Sequence, residues 1–168
     1  MEKWNLYTRD GGLTDRTLIR GEKLPDGFYH MACEVLIRHT DGTFLLMKRS
    51  LKKSDYAGFF EASAGGAAQY GEDKLACIKR EMREETGLSS DEFLEIAHTV
   101  DDDNRVIVCS FFTTVDSDKS SVTLQEGETE GYMWVSEEDF IEFVNSGKMI
   151  DRQRARLDGY FKSMGYVE

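Results

Sequence analysis

Between Gly65 and Leu88 the chain reads GGAAQYGEDKLACIKREMREETGL, a glycine pair running into a helical pattern that carries glutamates at i, i+3 and i+4. At about 100° per residue, a helix starting near Glu72 aligns Leu75, Ile78 and Met82 as an apolar stripe that must face a core. Glu81 and Glu85 then fall at one edge of that stripe, with Glu84 further round, so the carboxylates line a rim between core and solvent. Like charges at these spacings repel by about 0.2–0.5 kcal/mol per pair, and Arg80, four residues before Glu84, offsets only part of this. The crowding calls for a positive partner. Hard divalent cations such as Mg²⁺ prefer carboxylate oxygens and keep water and substrate phosphates in their shell. A solvated acidic face is the commoner use of such a helix. What separates this one is Gly65-Gly66, which lets the backbone pass close to the cluster and offer a carbonyl.

The flanking sequence supplies strands. Residues 3–9 and 16–20 alternate as strands joined through Asp10-Gly11-Gly12, and Gly21 to Gly27 reads as a loop, so the first 27 residues form an N-terminal hairpin extension. Apolar runs at 31–38 and 43–48 surround an Asp41-Gly42 hairpin signal. Further strands are expected at about 92–100, 106–115 and 131–135. Ser136 with Asp139 has the form of a capping box opening a helix that Gly147 closes, and a last helix is expected over about 151–163. Strands on both sides of the central helix predict an α/β fold with a mixed sheet.

Composition excludes several classes of function. A net charge of −11 repels a phosphate backbone, so nucleic acid is not an expected partner. No run approaches the roughly 18 apolar residues of a membrane span, and MEKWNLYTRDGG lacks the apolar core of a signal peptide. No membrane partner and a cytoplasmic location are the expectations. Cys33, Cys77 and Cys109 are widely spaced among apolar neighbours, which predicts reduced core thiols. Pro25 is the sole proline and no linker interrupts the chain, so a single domain over 1–168 is expected, with a C-terminal helix within 148–168. Acidic chains bind polyphosphates when divalent cations stand between.

Residues 66–88 resemble the Nudix box, G-x5-E-x7-R-E-U-x-E-E-x-G-U with U apolar, at every fixed position: Gly66, Glu72, Arg80, Glu81, Met82, Glu84, Glu85, Gly87 and Leu88. The strand runs before the box and the Trp134-Val135-Ser136 junction after it extend the resemblance to about residues 30–145. The resemblance implies a Nudix-type α/β/α sandwich and Mg²⁺- or Mn²⁺-dependent hydrolysis of a diphosphate linkage in a nucleoside diphosphate derivative or related phosphorylated metabolite. By position it implies Glu81, Glu84 and Glu85 as metal ligands with the Gly65 carbonyl, while Glu72, Arg80 and Gly66 support the site. Family members differ over the base that takes the proton of water. Glu81 and Glu128, the latter in the acidic loop 126–130 before Trp134, are the candidates.

Lys48 and Arg49, at a strand end with Lys52 and Lys53 nearby, are candidates for holding substrate phosphates. Tyr56, Phe59, Phe60 and Tyr70 are expected to pack in the core rather than stack on a base. The N-terminal half also resembles the isopentenyl diphosphate isomerase branch of the fold, in which His30 would be a metal ligand. That branch needs a cysteine near the glycine loop, and residues 58–66 contain none. A non-catalytic nucleotide-sensing module is the third reading, against which all the box glutamates are kept. Trp4 and Tyr7 on the hairpin make residues 1–25 a candidate homodimer contact.

Overall fold

A computed structural model describes all 168 residues. The chain opens with an antiparallel hairpin, β1 (Lys3–Tyr7) and β2 (Leu13–Ile19). Strands β3 (His30–His39), β4 (Phe44–Arg49), β5 (Phe60–Glu61) and β6 (Ala64–Ala67) lead to helix α1 (Lys74–Thr86). Strands β7 (Leu94–Asp101), β8 (Val106–Val115) and β9 (Thr129–Val135) precede α2 (Glu137–Asn145), α3 (Asp151–Arg156) and α4 (Asp158–Ser163).

The seven later strands form one sheet of order β5-β4-β3-β8-β7, with β6 added on β3 and β9 on β4. Strands β3 and β8 run parallel over their whole length, from His30 opposite Val106 to His39 opposite Val115, and every other pairing is antiparallel. The sheet is therefore mixed, as the alternation of strands and helices predicts.

Period-two alternation distributes the strand side chains between two cores. Along β3 and β4, Met31, Cys33, Val35, Ile37, Leu45 and Met47 face α1, where they meet Cys77, Ile78 and Met82. Leu36, Phe44 and Leu46 face the other way, against Phe140 and Val144 of α2 and Leu157 and Phe161 of the C-terminal helices. Phe44 and Phe140 stack with centroids 4.2 Å apart. Helices thus cover both faces, giving the α/β/α sandwich. All three cysteines are free and buried.

Several local expectations are corrected. Helix α1 begins at Lys74 rather than Glu72, because Asp73 caps it by accepting from the Ala76 N–H at 2.8 Å. Leu75, in the first turn at the edge of the buried arc, is 44% exposed, and Cys77 takes its place in the core. The C-terminal helix is two helices broken at Leu157. The first is pinned to the sheet by Gln153 and Arg156, while the second turns to seat Phe161 among the rings of Phe140 and Tyr166. Of the aromatic residues assigned to the core, Phe59 and Tyr70 are exposed.

The hairpin lies on its own chain. Tyr7 and Tyr29 exchange backbone hydrogen bonds of 2.8 and 2.9 Å, and Trp4 stacks on His30 with centroids 4.7 Å apart. Arg9 donates two hydrogen bonds of 2.7 Å to Asp102, which also accepts from the Tyr29 hydroxyl at 2.6 Å. Trp4 and Tyr7, the rings offered for a dimer contact, are used within the protomer.

Candidate active site

The site begins where α1 crosses β6. A side chain on Gly65 would put its Cβ 2.5 Å from the Cys33 carbonyl oxygen, and one on Gly66 would stand 2.4 Å from Glu81 Oε1. The missing side chains leave room for carboxylates between helix and sheet. Glu81 and Glu85 consequently lie inside the buried arc of α1, at 9% and 6% exposure, rather than on its rim. Glu84, on the outer side, is exposed.

Each carboxylate is held differently. Arg80 donates to Glu81 at 2.7 Å and to Glu84 at 3.0 Å. The same guanidinium makes a bidentate pair with Glu72 at 2.6 and 2.9 Å and donates to the Ala67 carbonyl at 3.0 Å, tying the glycine strand, the loop and the helix together. Burial alone would raise Glu72, yet Arg80 and the Gln69 N–H bring its pKa below the ordinary value. Burial raises Glu81, with Arg80 opposing.

Glu85 has no cation partner in the structure. It accepts one hydrogen bond, from the Gly65 N–H at 3.0 Å. Burial raises its pKa well above the usual carboxylate range, and Glu61, Glu81 and Glu128 add to the rise as neighbouring charges. A cation brought to such a carboxylate favours its ionised form. Buried oxygens without a counter-ion, facing open space beside a glycine backbone, fit a hard divalent cation.

These groups open into a cleft of ≈ 410 Å³. Gly65, Gly66 and Ala67 form its floor, Arg80, Glu81, Glu84 and Glu85 one wall, and Lys53, Gln125 and Glu128 another. The structure therefore brings Glu128, 43 positions downstream of Glu85, to the box glutamates. Lys53 and Glu128 form an ion pair across the two loops.

Two other sequence candidates stand elsewhere. Arg49 donates to Glu61 at 3.2 Å and to the Asp55 carbonyl at 3.1 Å, and lines a smaller cavity of ≈ 130 Å³ that shares only Gly65 with the cleft. Lys48 pairs with Glu130 at 2.9 Å. Neither lines the cleft, and each is held by an acidic partner at the strand end. Lys53 is the member of that basic run that reaches it.

The hairpin supplies a wall that sequence reasoning missed. Glu2, Trp4 and Arg20 all line the cleft. Arg20 pairs with Glu2 at 2.7 Å, Glu2 also accepts from the Trp4 indole at 2.7 Å, and the Arg20 side chain is 62% exposed toward solvent. No local motif marks Arg20, since its meaning comes from the docking of the hairpin against Asp102, a residue remote in sequence. Glu61 is a second omission. It lies next to Glu85 behind the glycine strand, where burial raises its pKa and Arg49 opposes. No cysteine lines the cleft.

Comparison with known proteins bears directly on this arrangement. A sequence model described as the NUDIX domain matches residues 28–155, leaving the hairpin outside the match. An uncharacterized Nudix hydrolase of Listeria innocua is 32% identical over 154 residues, covering 89% of both chains. An isopentenyl-diphosphate Delta-isomerase of Corynebacterium diphtheriae is 29% identical over 127 residues, covering 70% of this chain and 69% of that one. Among solved structures, a MutT protein from Methanosarcina mazei superposes with TM-score 0.63 at 25% identity, covering 80% of this chain and 94% of the other.

Proposed function

This chain belongs to the Nudix hydrolase family and is a diphosphate hydrolase, and from that premise we propose that the cleft beside Gly65 and Gly66 is its active site, dependent on Mg²⁺ or Mn²⁺. The family hydrolyses nucleoside diphosphate derivatives; a nucleotide-type small molecule is the substrate class proposed here. The observation that carries the reading is Glu85, a buried carboxylate among carboxylates with no cation partner.

Glu81, Glu84 and Glu85 would hold the ion together with the Gly65 carbonyl. When bound, such an ion neutralises diphosphate oxygens and acidifies water. The remaining work falls to the chain's own residues. Arg80, locked by Glu72 and the Ala67 carbonyl, fixes the direction of Glu81 and Glu84. Arg20 and Lys53 both line the cleft and serve as cations for the phosphates of the substrate, and Trp4 lines it as well. In the free protein Lys53 pairs with Glu128. A substrate phosphate competes for that ammonium, which frees Glu128 to accept the proton of the attacking water. Water oxygen bonds to phosphorus, the bridging P–O bond breaks, and the departing phosphate carries away the bond's electron pair.

The isomerase reading has less support, because no thiol lines the cleft and all three cysteines are buried elsewhere. Phosphate release from a panel of nucleoside diphosphate derivatives tests the proposal. Turnover should require Mg²⁺ or Mn²⁺, stop with chelator, return on adding back either ion, and be absent in Glu84→Gln. Metal-independent turnover, or full turnover in that variant, contradicts it.

A further inference from the structure

Beside the start of α1, where Lys74 pairs with Glu95 and outside the lining of the cleft, the sheet carries a second cluster of donor atoms that plays no part in the chemistry above. Strands β3, β8 and β7 set Cys33, Cys109 and His98 in line, with Cys33 opposite Cys109 and Cys109 opposite His98. A register irregularity between Glu95 and Ala97 brings Glu95 beside the imidazole. His98 Nδ1 lies 3.7 Å from Cys109 Sγ and 3.4 Å from Glu95 Oε1, and one donor atom from each of the three residues falls within 4.8 Å of the others.

These separations have a chemical meaning. Tetrahedral ligation, with metal–N and metal–O near 2.0–2.1 Å and metal–S near 2.3 Å, places neighbouring donors about 3.3–3.6 Å apart. The measured His–Glu and His–Cys distances stand at or just beyond that range, before any ion draws the groups together. The donor set is sulfur, nitrogen and oxygen, which suits zinc-class ions and differs from the all-oxygen set of the cleft. We propose that Glu95, His98 and Cys109 form a second metal site that takes a thiophilic divalent cation of the Zn²⁺ class, with a fourth position open to water.

The surroundings are compatible with such an ion. Cys109 forms a buried floor, while His98 and Glu95 are partly exposed and give a path from solvent. Cys33 stands opposite Cys109 on β3, but its thiol donates to the Lys74 carbonyl at 3.5 Å, so it is already engaged outside the cluster. The Lys74 ammonium now pairs with Glu95. It is a half-exposed ion pair of the kind that contributes little to stability, so an incoming dication displaces it at little cost. A bound ion would join β7 to β8 beneath the start of α1.

Cobalt titration of the reduced full chain tests this site separately from the cleft, because only a thiolate ligand gives a sulfur-to-cobalt charge-transfer band in the near ultraviolet. One equivalent of Co²⁺ should produce the band together with tetrahedral visible absorption; Zn²⁺ should abolish both, and excess Mg²⁺ should leave them. Cys109→Ser should remove the band. His98→Gln, at the exposed rim where folding is not at stake, should weaken cobalt binding by about tenfold or more. Cys33→Ser should retain the band. Absence of a charge-transfer band in the wild-type chain, its survival in Cys109→Ser, or unchanged affinity in His98→Gln overturns the proposal. None of these readouts depends on hydrolase activity.

Discussion

The Gly65 N–H donates to Glu85 at 3.0 Å, and it is the only hydrogen bond that this buried carboxylate receives. A glycine strand and a helix thus meet through one polar contact, with like charges of Glu61, Glu81 and Glu128 around it. That relationship makes the metal-free protein sensitive to pH.

Glu85 has a folded-state pKa raised above its ordinary value of 4.5. The sign is therefore opposite to that of a salt-bridged carboxylate. The folded state holds the proton more tightly, so the contribution of Glu85 to metal-free stability is fully present below about 4.5 and is lost as pH rises from there through the raised value. Thermal denaturation with chelator should show the wild-type Tm falling relative to that of Glu85→Gln over that range. Mg²⁺ at neutral pH should restore it, and Glu85→Gln should flatten the pH dependence, raise the metal-free Tm and lose the Mg²⁺ response. The same variant should lose about two to three orders of magnitude in turnover.

Gly66→Ala tests the close approach. The added Cβ stands 2.4 Å from Glu81 Oε1 and 2.5 Å from its carboxyl carbon, so Glu81 must leave its hydrogen bond with Arg80. The clash is with the mobile end of one side chain and not with backbone, so the cost falls on the placing of Glu81 more than on the fold. Urea unfolding should show only a small loss, while kcat should fall by more than the stability change would suggest.

Arg20→Ala tests the hairpin wall. A hydrogen bond to a charged group contributes about 1.5–3 kcal/mol, which corresponds to a rise in KM of about tenfold to a hundredfold. Steady-state kinetics on the best substrate of the panel should find kcat largely kept, with Arg20→Lys recovering part of the affinity. An unchanged KM would remove Arg20 from substrate binding.

Asp102→Asn tests the tether of that wall. Arg9 and the Tyr29 hydroxyl hold the Asp102 carboxyl down to about 2, against an ordinary value of 3.8. The tether is fully present above 3.8 and is lost as pH falls through about 2. The pair is exposed, so global Tm should barely move. Hydrogen exchange of the β1 and β2 amides should nevertheless quicken in the variant at neutral pH.

Much of this molecule is legible in its sequence, for local reasons. Asp41-Gly42, the Ser136–Asp139 cap and strand alternation each specify backbone over a few residues, and Ser136 does accept from the Asp139 N–H at 3.1 Å. Where sequence and fold disagree, the cause is that a local pattern meets a non-local neighbour. Leu75 has the right periodicity for the core yet sits where α1 overhangs it, and Leu157 carries no breaker residue although the helix ends there. Lys48 and Arg49 have the right charge, but acidic partners from β9 and β5 hold them away from the cleft.

The sequence by itself determined the family, the mixed sandwich and the carboxylate helix, because glycine and glutamate spacing along one helix is a property of neighbouring residues. Tertiary structure alone decided which of those carboxylates lack a counter-ion, which cations share the cleft with them, and that Arg20 and Trp4 join its lining. Burial and proximity between distant segments depend on how the sheet, the hairpin and the loops are packed. No period along the chain records that packing.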